Sequence, residues 1–294
     1  MKPKLKVSLG LATMWLMGGI GYPVLSVATN HLAPMNLVFV RTTGTAIILT
    51  LILALNSPKE FAKIRLNKDL GITIICAILF YPICSGSLAY SSSKVPGALT
   101  ALLYSLLPVI STLYVLLQKK PVHRGTFLGL IVSLVALIIL VGTPDGNISR
   151  SGVMAGLFSV LVWFIATEIW IKHHPNYSIL MATSLQAIFG GIGCYFARYV
   201  FDSPAISATL IFQGSVIFLI ISLATQHFAY LWLTTHVNGV TLMLFSIINP
   251  FIAGIAGFLL FSQKINALQI FAGCLMCFGV YKIIKSQNLV TIRE

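Results

Sequence analysis

Charge is what this sequence has least of: 9% of its 294 residues are charged, 57% are hydrophobic, and only 6 are acids. Soluble domains carry roughly 25% charged residues, and mean hydropathy here is +0.95, so an ordinary water-soluble fold is excluded. There is no GxxxxGK[ST] phosphate loop, no HExxH, no GxSxG and no polar stretch long enough for a nucleotide-hydrolysing domain. ATP-driven transport within the chain is thereby excluded, and the usual enzyme machinery is missing. The five cysteines, Cys76, Cys84, Cys194, Cys274 and Cys277, all fall inside apolar runs, where neither disulfides nor zinc sites are expected. Cys274 and Cys277 share a helical face but have no histidine or further cysteine beside them, so no metal or cofactor is expected. A cleavable leader is not expected either: the first apolar run, Val7–Val27, is too long for one and no Ala-x-Ala-like site follows it. The net charge of +13 is not gathered on a basic face interleaved with aromatics, which speaks against nucleic acid.

What is present is a series of apolar runs near the ~20 residues that cross ~30 Å of hydrocarbon. Ten spans are predicted: Val7–Val27, Leu37–Leu55, Leu70–Tyr90, Gly97–Leu117, Gly125–Val141, Val153–Ile171, Ile179–Phe201, Leu210–Leu233, Val240–Phe261 and Leu268–Ile284. On alternate sides of this arrangement Lys and Arg divide 14 against 4, with Arg41 inside a span. Cationic loops stay cytoplasmic, so both termini are expected there, in a multi-pass protein of a bacterial-type inner membrane.

The two halves resemble each other. Pro108 and Pro250 are 142 residues apart, and the same offset pairs Val95 with Val237 and Gly97 with Gly239. Slightly different offsets pair Tyr90 with Tyr230 and Trp15 with Trp163. With five helices per copy, residues 1–147 and 148–294 form an all-α pair of inverted repeats, the plan of secondary transporters with a midplane site.

These residues resemble the drug/metabolite transporter superfamily, in its ten-helix EamA-type branch. Trp15, Gly18, Pro34, Arg41, Val95-Pro96-Gly97-Ala98-Leu99 and Pro108 carry the likeness in the first half. Trp163, Val237-Asn238-Gly239-Val240 and Pro250 repeat it more loosely. Where that family has an acid after the fourth and ninth helices, this chain has Lys119 and Gln263. The resemblance implies a carrier of small metabolites, often an exporter of amino acids or related compounds. An uptake permease and a non-transporting sensor or scaffold are the alternatives.

Polar and aromatic residues inside spans are costly unless they face a partner or water. Stripes at helical spacing run through Trp15, Gly19, Tyr22 and Ser26; Thr100, Tyr104, Leu107 and Ser111; Ser222, Gln226 and Tyr230; and Asn238, Leu242, Phe245 and Asn249. Two readings stand: the wall of a cavity for an amphipathic small molecule, or hydrogen bonding between helices. The cavity reading takes Trp15, Tyr22, Tyr81, Tyr90, Tyr104, Trp163, Gln226, Tyr230, Phe245 and Asn249. Pro108 and Pro250 are either hinges or static kinks. Arg41 is an anchor for a carboxylate or a gate element, or it snorkels. Glu168 is a protonatable coupling group, or it pairs with Lys172 one turn on. Small-residue steps such as Gly125-x-x-x-Gly129 read as helix packing. The expected partners are a small-molecule substrate, the lipid bilayer and protons as a coupling ion, in a monomer or homodimer.

Overall fold

The computed structural model describes residues 3–119, 123–141, 149–202, 214–237, 242, 245–263 and 267–286. Its helices are α1 (Pro3–Ala28), α2 (Pro34–Asn56), α3 (Lys68–Ile78), α4 (Gly86–Ser92), α5 (Gly97–Tyr104), α6 (Leu107–Leu117) and α7 (Arg124–Val141) in the first half. The second half has α8 (Arg150–His173), α9 (Ile179–Phe201), α10 (Gly214–His236), α11 (Phe245–Phe261) and α12 (Ala267–Ser286). Among the described residues, seven spans are long and apolar enough to cross a membrane, the third running Lys68–Ser92 and the fourth Gly97–Leu117. Three shorter apolar helices, Arg124–Ile139, Ile248–Phe261 and Ile270–Ile283, accompany them. The chain is thus an all-helical, multi-pass membrane protein.

Two spans read as continuous helices are not. Between α3 and α4 the third span passes through a π-helical turn, Leu79–Ser85, that contains Pro82. Proline lacks the amide hydrogen and crowds the preceding turn. The Ser85 hydroxyl takes up the Phe80 carbonyl at 3.0 Å. In the fourth span the helix stops after Tyr104 and resumes at Leu107, with Ser105 and Leu106 bonded back three residues instead of four. Pro108 sits at the start of the resumed helix, and its ring displaces the carbonyl four residues back, that of Tyr104.

Packing interleaves the halves. α1 lies against α10 and α11, α2 against α9 and α10, the third span against α8 and α9, α5 against α8 and α11, and α7 against α12. Lipid offers no hydrophobic drive for helix association, so close approach and hydrogen bonds decide these contacts. Gly97 leaves no room for a side chain: a Cβ there would stand 2.5 Å from the Pro23 Cα of α1. Gly129 and Gly279 bring the backbones of α7 and α12 together, as the small-residue steps predict. The Ser222 hydroxyl of α10 donates to the Met17 carbonyl of α1 at 2.9 Å, and the Thr45 hydroxyl of α2 to the Ile220 carbonyl of α10 at 3.0 Å. The largest apolar core threads through both halves, from Met14, Leu25 and Leu37 to Phe80, Leu231 and Leu233.

Candidate functional site

A cavity of about 60 Å³ lies where these helices meet. Its wall includes Gly18 and Tyr22 of α1, Arg41 of α2, Ser85 of the π turn, Tyr104 of α5, Trp163 of α8, and Gln226 and His227 of α10. Local breaks in the helices aim several of these groups. The π turn presents Ser85, and the interruption before Pro108 leaves Tyr104 at a helix end. Gly18 makes the space: a Cβ there would stand 2.6 Å from the Gln226 amide nitrogen and 2.8 Å from that of Asn249.

One side of the cavity is a tightly bonded wall. The Tyr104 hydroxyl lies 2.5 Å from that of Ser159, which donates to the Cys84 carbonyl at 2.9 Å. The Trp163 indole donates to the Tyr230 hydroxyl at 3.0 Å, and Thr167 lies 2.6 Å from the same oxygen. The Phe80, Trp163 and Tyr230 rings pack edge-on or tilted, with centroids 4.8–6.4 Å apart. Behind them Nε2 of His227 meets the Gln186 side-chain oxygen at 2.7 Å, with Phe80 and Tyr81 on the imidazole.

Two polar groups near this wall are unsatisfied. Nε of Arg41 has no hydrogen-bond partner, and neither polar atom of the Asn249 carboxamide has one of ordinary geometry although Tyr22 stands beside it. Arg41 is 6% exposed and Asn249 0%. The electrostatic neighbours of Arg41, namely Tyr81, Cys84, Tyr104 and Cys194, are all uncharged groups.

The predicted cavity residues therefore separate. Tyr22, Tyr104, Trp163, Gln226 and Arg41 line the cavity together. Tyr81 and Tyr230 are buried one layer behind it, and Asn249 faces Tyr22 across Gly18. Trp15 is half-buried and not on the wall, with its indole nitrogen unpartnered. Tyr90 lies elsewhere, 40% exposed on a separate groove with Lys94 and Asp202. Glu168 lies in another groove, between α6 and α8, beside Tyr114 and Lys172. No ion pair joins it to Lys172, since the one salt bridge among the described residues is Lys63–Glu60. Pro250 sits mid-helix in α11 and faces Ala98, Leu99 and Leu102 of α5. The Phe245 side chain and Asn238 lie outside the described residues. Ser85, Ser159, Gln186 and His227 are site groups that the stripes did not select. No group of three or more potential metal ligands occurs among the described residues.

Residues 5–142 match the model of the EamA-like transporter family. Over 220 residues the chain is 23% identical to the "Uncharacterized transporter YvbV" of Bacillus subtilis (strain 168), covering 74% of this chain and 71% of that protein. A solved crystal structure, described only as that of a protein, superposes with a TM-score of 0.61 at 12% identity, over 97% of this chain and 98% of its own. The last is a likeness of fold alone.

Proposed function

We propose that the chain, a membrane transporter whose residues 5–142 match the EamA-like transporter family, is not an enzyme but a secondary carrier working by alternating access. Its cargo is a small amphipathic metabolite of amino-acid size, moved outward across an inner membrane, with both termini cytoplasmic. The observation that carries this reading is a cavity walled by helices from both halves, into which Tyr22, Arg41, Tyr104, Trp163 and Gln226 converge. At about 60 Å³ it holds a few waters, well below the ~300–1,000 Å³ of ordinary ligand pockets. A metabolite enters only if the halves part, as a carrier requires.

Ten spans in two inverted copies, 1–147 and 148–294, supply the moving parts. The pattern of helix contacts supports this arrangement. Exchanging the first five spans for the second five turns the α1 contacts with α10 and α11 into those of α8 with the third and fourth spans. The same exchange turns the α2 contact with α10 into that of α9 with the third span, and returns α2–α9, α5–α11 and α7–α12 to themselves. The broken fourth span and the proline-bearing α11 lie against each other, where Pro108 and Pro250 serve as hinges. Glu168 lines a separate groove and not the cavity, so the substrate's own gradient drives the carrier.

Proteoliposomes loaded with single metabolites test this. Saturable, counterflow-competent flux of at least one amphipathic metabolite is expected. Absence of flux across amino acids, organic acids, nucleobases and amphipathic cations would sink the reading in favour of a non-transporting sensor.

A further inference from the structure

Among the described residues lining the cavity, Arg41 alone carries a permanent charge. None of the described acids answers it. Glu60 pairs with Lys63, Asp69 receives the Asn176 amides, and Asp202 takes the Asn36 backbone N–H at 2.7 Å. Glu168 occupies its separate groove. The other two acids, Asp145 and Glu294, lie outside the described residues.

A buried charge without a counter-ion is strongly unfavourable in a protein interior. Inside a membrane such a residue marks a water-filled substrate path. The planar guanidinium donates in a fork that fits a carboxylate, Arg41 lines the cavity, and its Nε has no hydrogen-bond partner in the protein. An ammonium group, in contrast, would meet the Arg41 charge with no carboxylate to receive it. The rest of the wall is apolar or aromatic, with Leu25, Leu88, Leu219 and Leu223 beside Tyr104 and Trp163.

We propose that the cavity selects an organic monoanion, a carboxylate without an amine, with its head on Arg41 and its apolar body against Tyr104 and Trp163. The proposal rests on the carrier reading and narrows its cargo, replacing an amino acid with the corresponding amine-free acid. One guanidinium neutralises one carboxylate, leaving a net-neutral complex able to move through a low-dielectric gate.

The test uses two matched series on the purified full chain: 3-phenylpropionate, phenylalanine and phenethylamine, and 4-methylpentanoate, leucine and isopentylamine. Melting temperature is read for the wild type, Arg41→Gln and Arg41→Lys. The acids should stabilise the wild type, the amino acids at least about tenfold less tightly, and the amines not at all. Arg41→Gln should weaken acid binding by about 10- to 100-fold, as loss of a charged hydrogen bond does, while Arg41→Lys keeps part of it. Ligand-free Arg41→Gln should melt no lower than the wild type, because an unpaired buried charge has been removed. Equal or tighter binding of the amino acids or amines would overturn the inference. So would acid binding that survives Arg41→Gln, or failure of both acids to bind. Flux of an amine that ignores Arg41→Gln would overturn it and leave the carrier standing, whereas acid binding without any flux would support it and remove the carrier.

Discussion

Trp15 and Trp163 hold matched places in the two halves, as do Tyr90 and Tyr230, yet the members of each pair live differently. Trp163 and Tyr230 bond to each other at 3.0 Å and form part of, or back, the cavity wall. Trp15 leaves its indole nitrogen unpartnered off the wall, and Tyr90 is exposed beside Lys94. A third pair follows from helix position: Arg41 is the eighth residue of α2 counting from Pro34, and Gln186 the eighth of α9 counting from Ile179. Gln186 meets His227 through its side-chain oxygen, while Arg41 lines the cavity with its Nε unpartnered. In each of these pairs the second-half member is bonded into the wall or its backing, and the first-half member is not. In the proposed two-copy carrier, one member of a matched pair can thus hold shape while the other meets the ligand.

The largest expected effect separates the tyrosines. Tyr230→Ala removes a fully packed ring, and such truncations cost about 3–5 kcal/mol. Tyr230→Phe, which leaves the Trp163 indole without its acceptor, should cost about 1–3 kcal/mol. Tyr90→Ala lies on an exposed surface and should stay within about 0.5 kcal/mol. Equilibrium unfolding in a mild detergent with added denaturant reads all three. Similar losses for Tyr90→Ala and Tyr230→Ala would erase the contrast between the halves.

The tryptophans give a smaller effect, read in transport. Trp163→Ala opens the wall beside Tyr104 and should weaken substrate half-saturation about tenfold, the size of one well-placed aromatic contact. Trp15→Ala should leave half-saturation near the wild-type value. A tenfold loss at Trp15 would place that residue on the substrate path and show that the two copies contribute alike.

How far this contrast was legible from sequence depends on local helix geometry. Tyr22, Tyr104 and Gln226 were readable because each lies on a stripe at helical spacing, and Trp163 through its pairing with Trp15. Tyr90 was not, because the π turn at Leu79–Ser85 lies between it and the start of its span. One extra residue in a turn rotates everything beyond it by roughly the 100° of a single helical step. Beyond that turn Tyr90 lies on the separate groove with Lys94 and Asp202. Ser159 and Cys84 were invisible for another reason: a lone Ser or Cys in an apolar helix looks like a small packing residue, and only the fold brings Tyr104 to it. Gln186 carried a usable signal in its shared register with Arg41, one that aromatic stripes could not supply. The fold itself was more legible than the site, since hydropathy reports every apolar helix, whereas convergence on one cavity depends on crossings such as Gly18 against α10 and α11.

The smallest effect is the most discriminating one about the repeat. If Arg41 and Gln186 are true counterparts across one cavity, the cation should be partly transferable between them. Arg41→Gln combined with Gln186→Arg moves the charge to the second half and conserves composition. His227 can follow the exchange. Arginine is a donor only, so His227 would accept at Nε2 and carry its proton on Nδ1. The new guanidinium would still lack the unsatisfied surroundings of Arg41, and so should act as a weakly placed ion pair worth about 0.5–1 kcal/mol. The double variant should therefore bind 3-phenylpropionate about threefold more tightly than Arg41→Gln alone, a difference that thermal-shift titration resolves. If the double variant binds no better than the single one, or worse, the two positions do not face a common cavity and the matched register is coincidence.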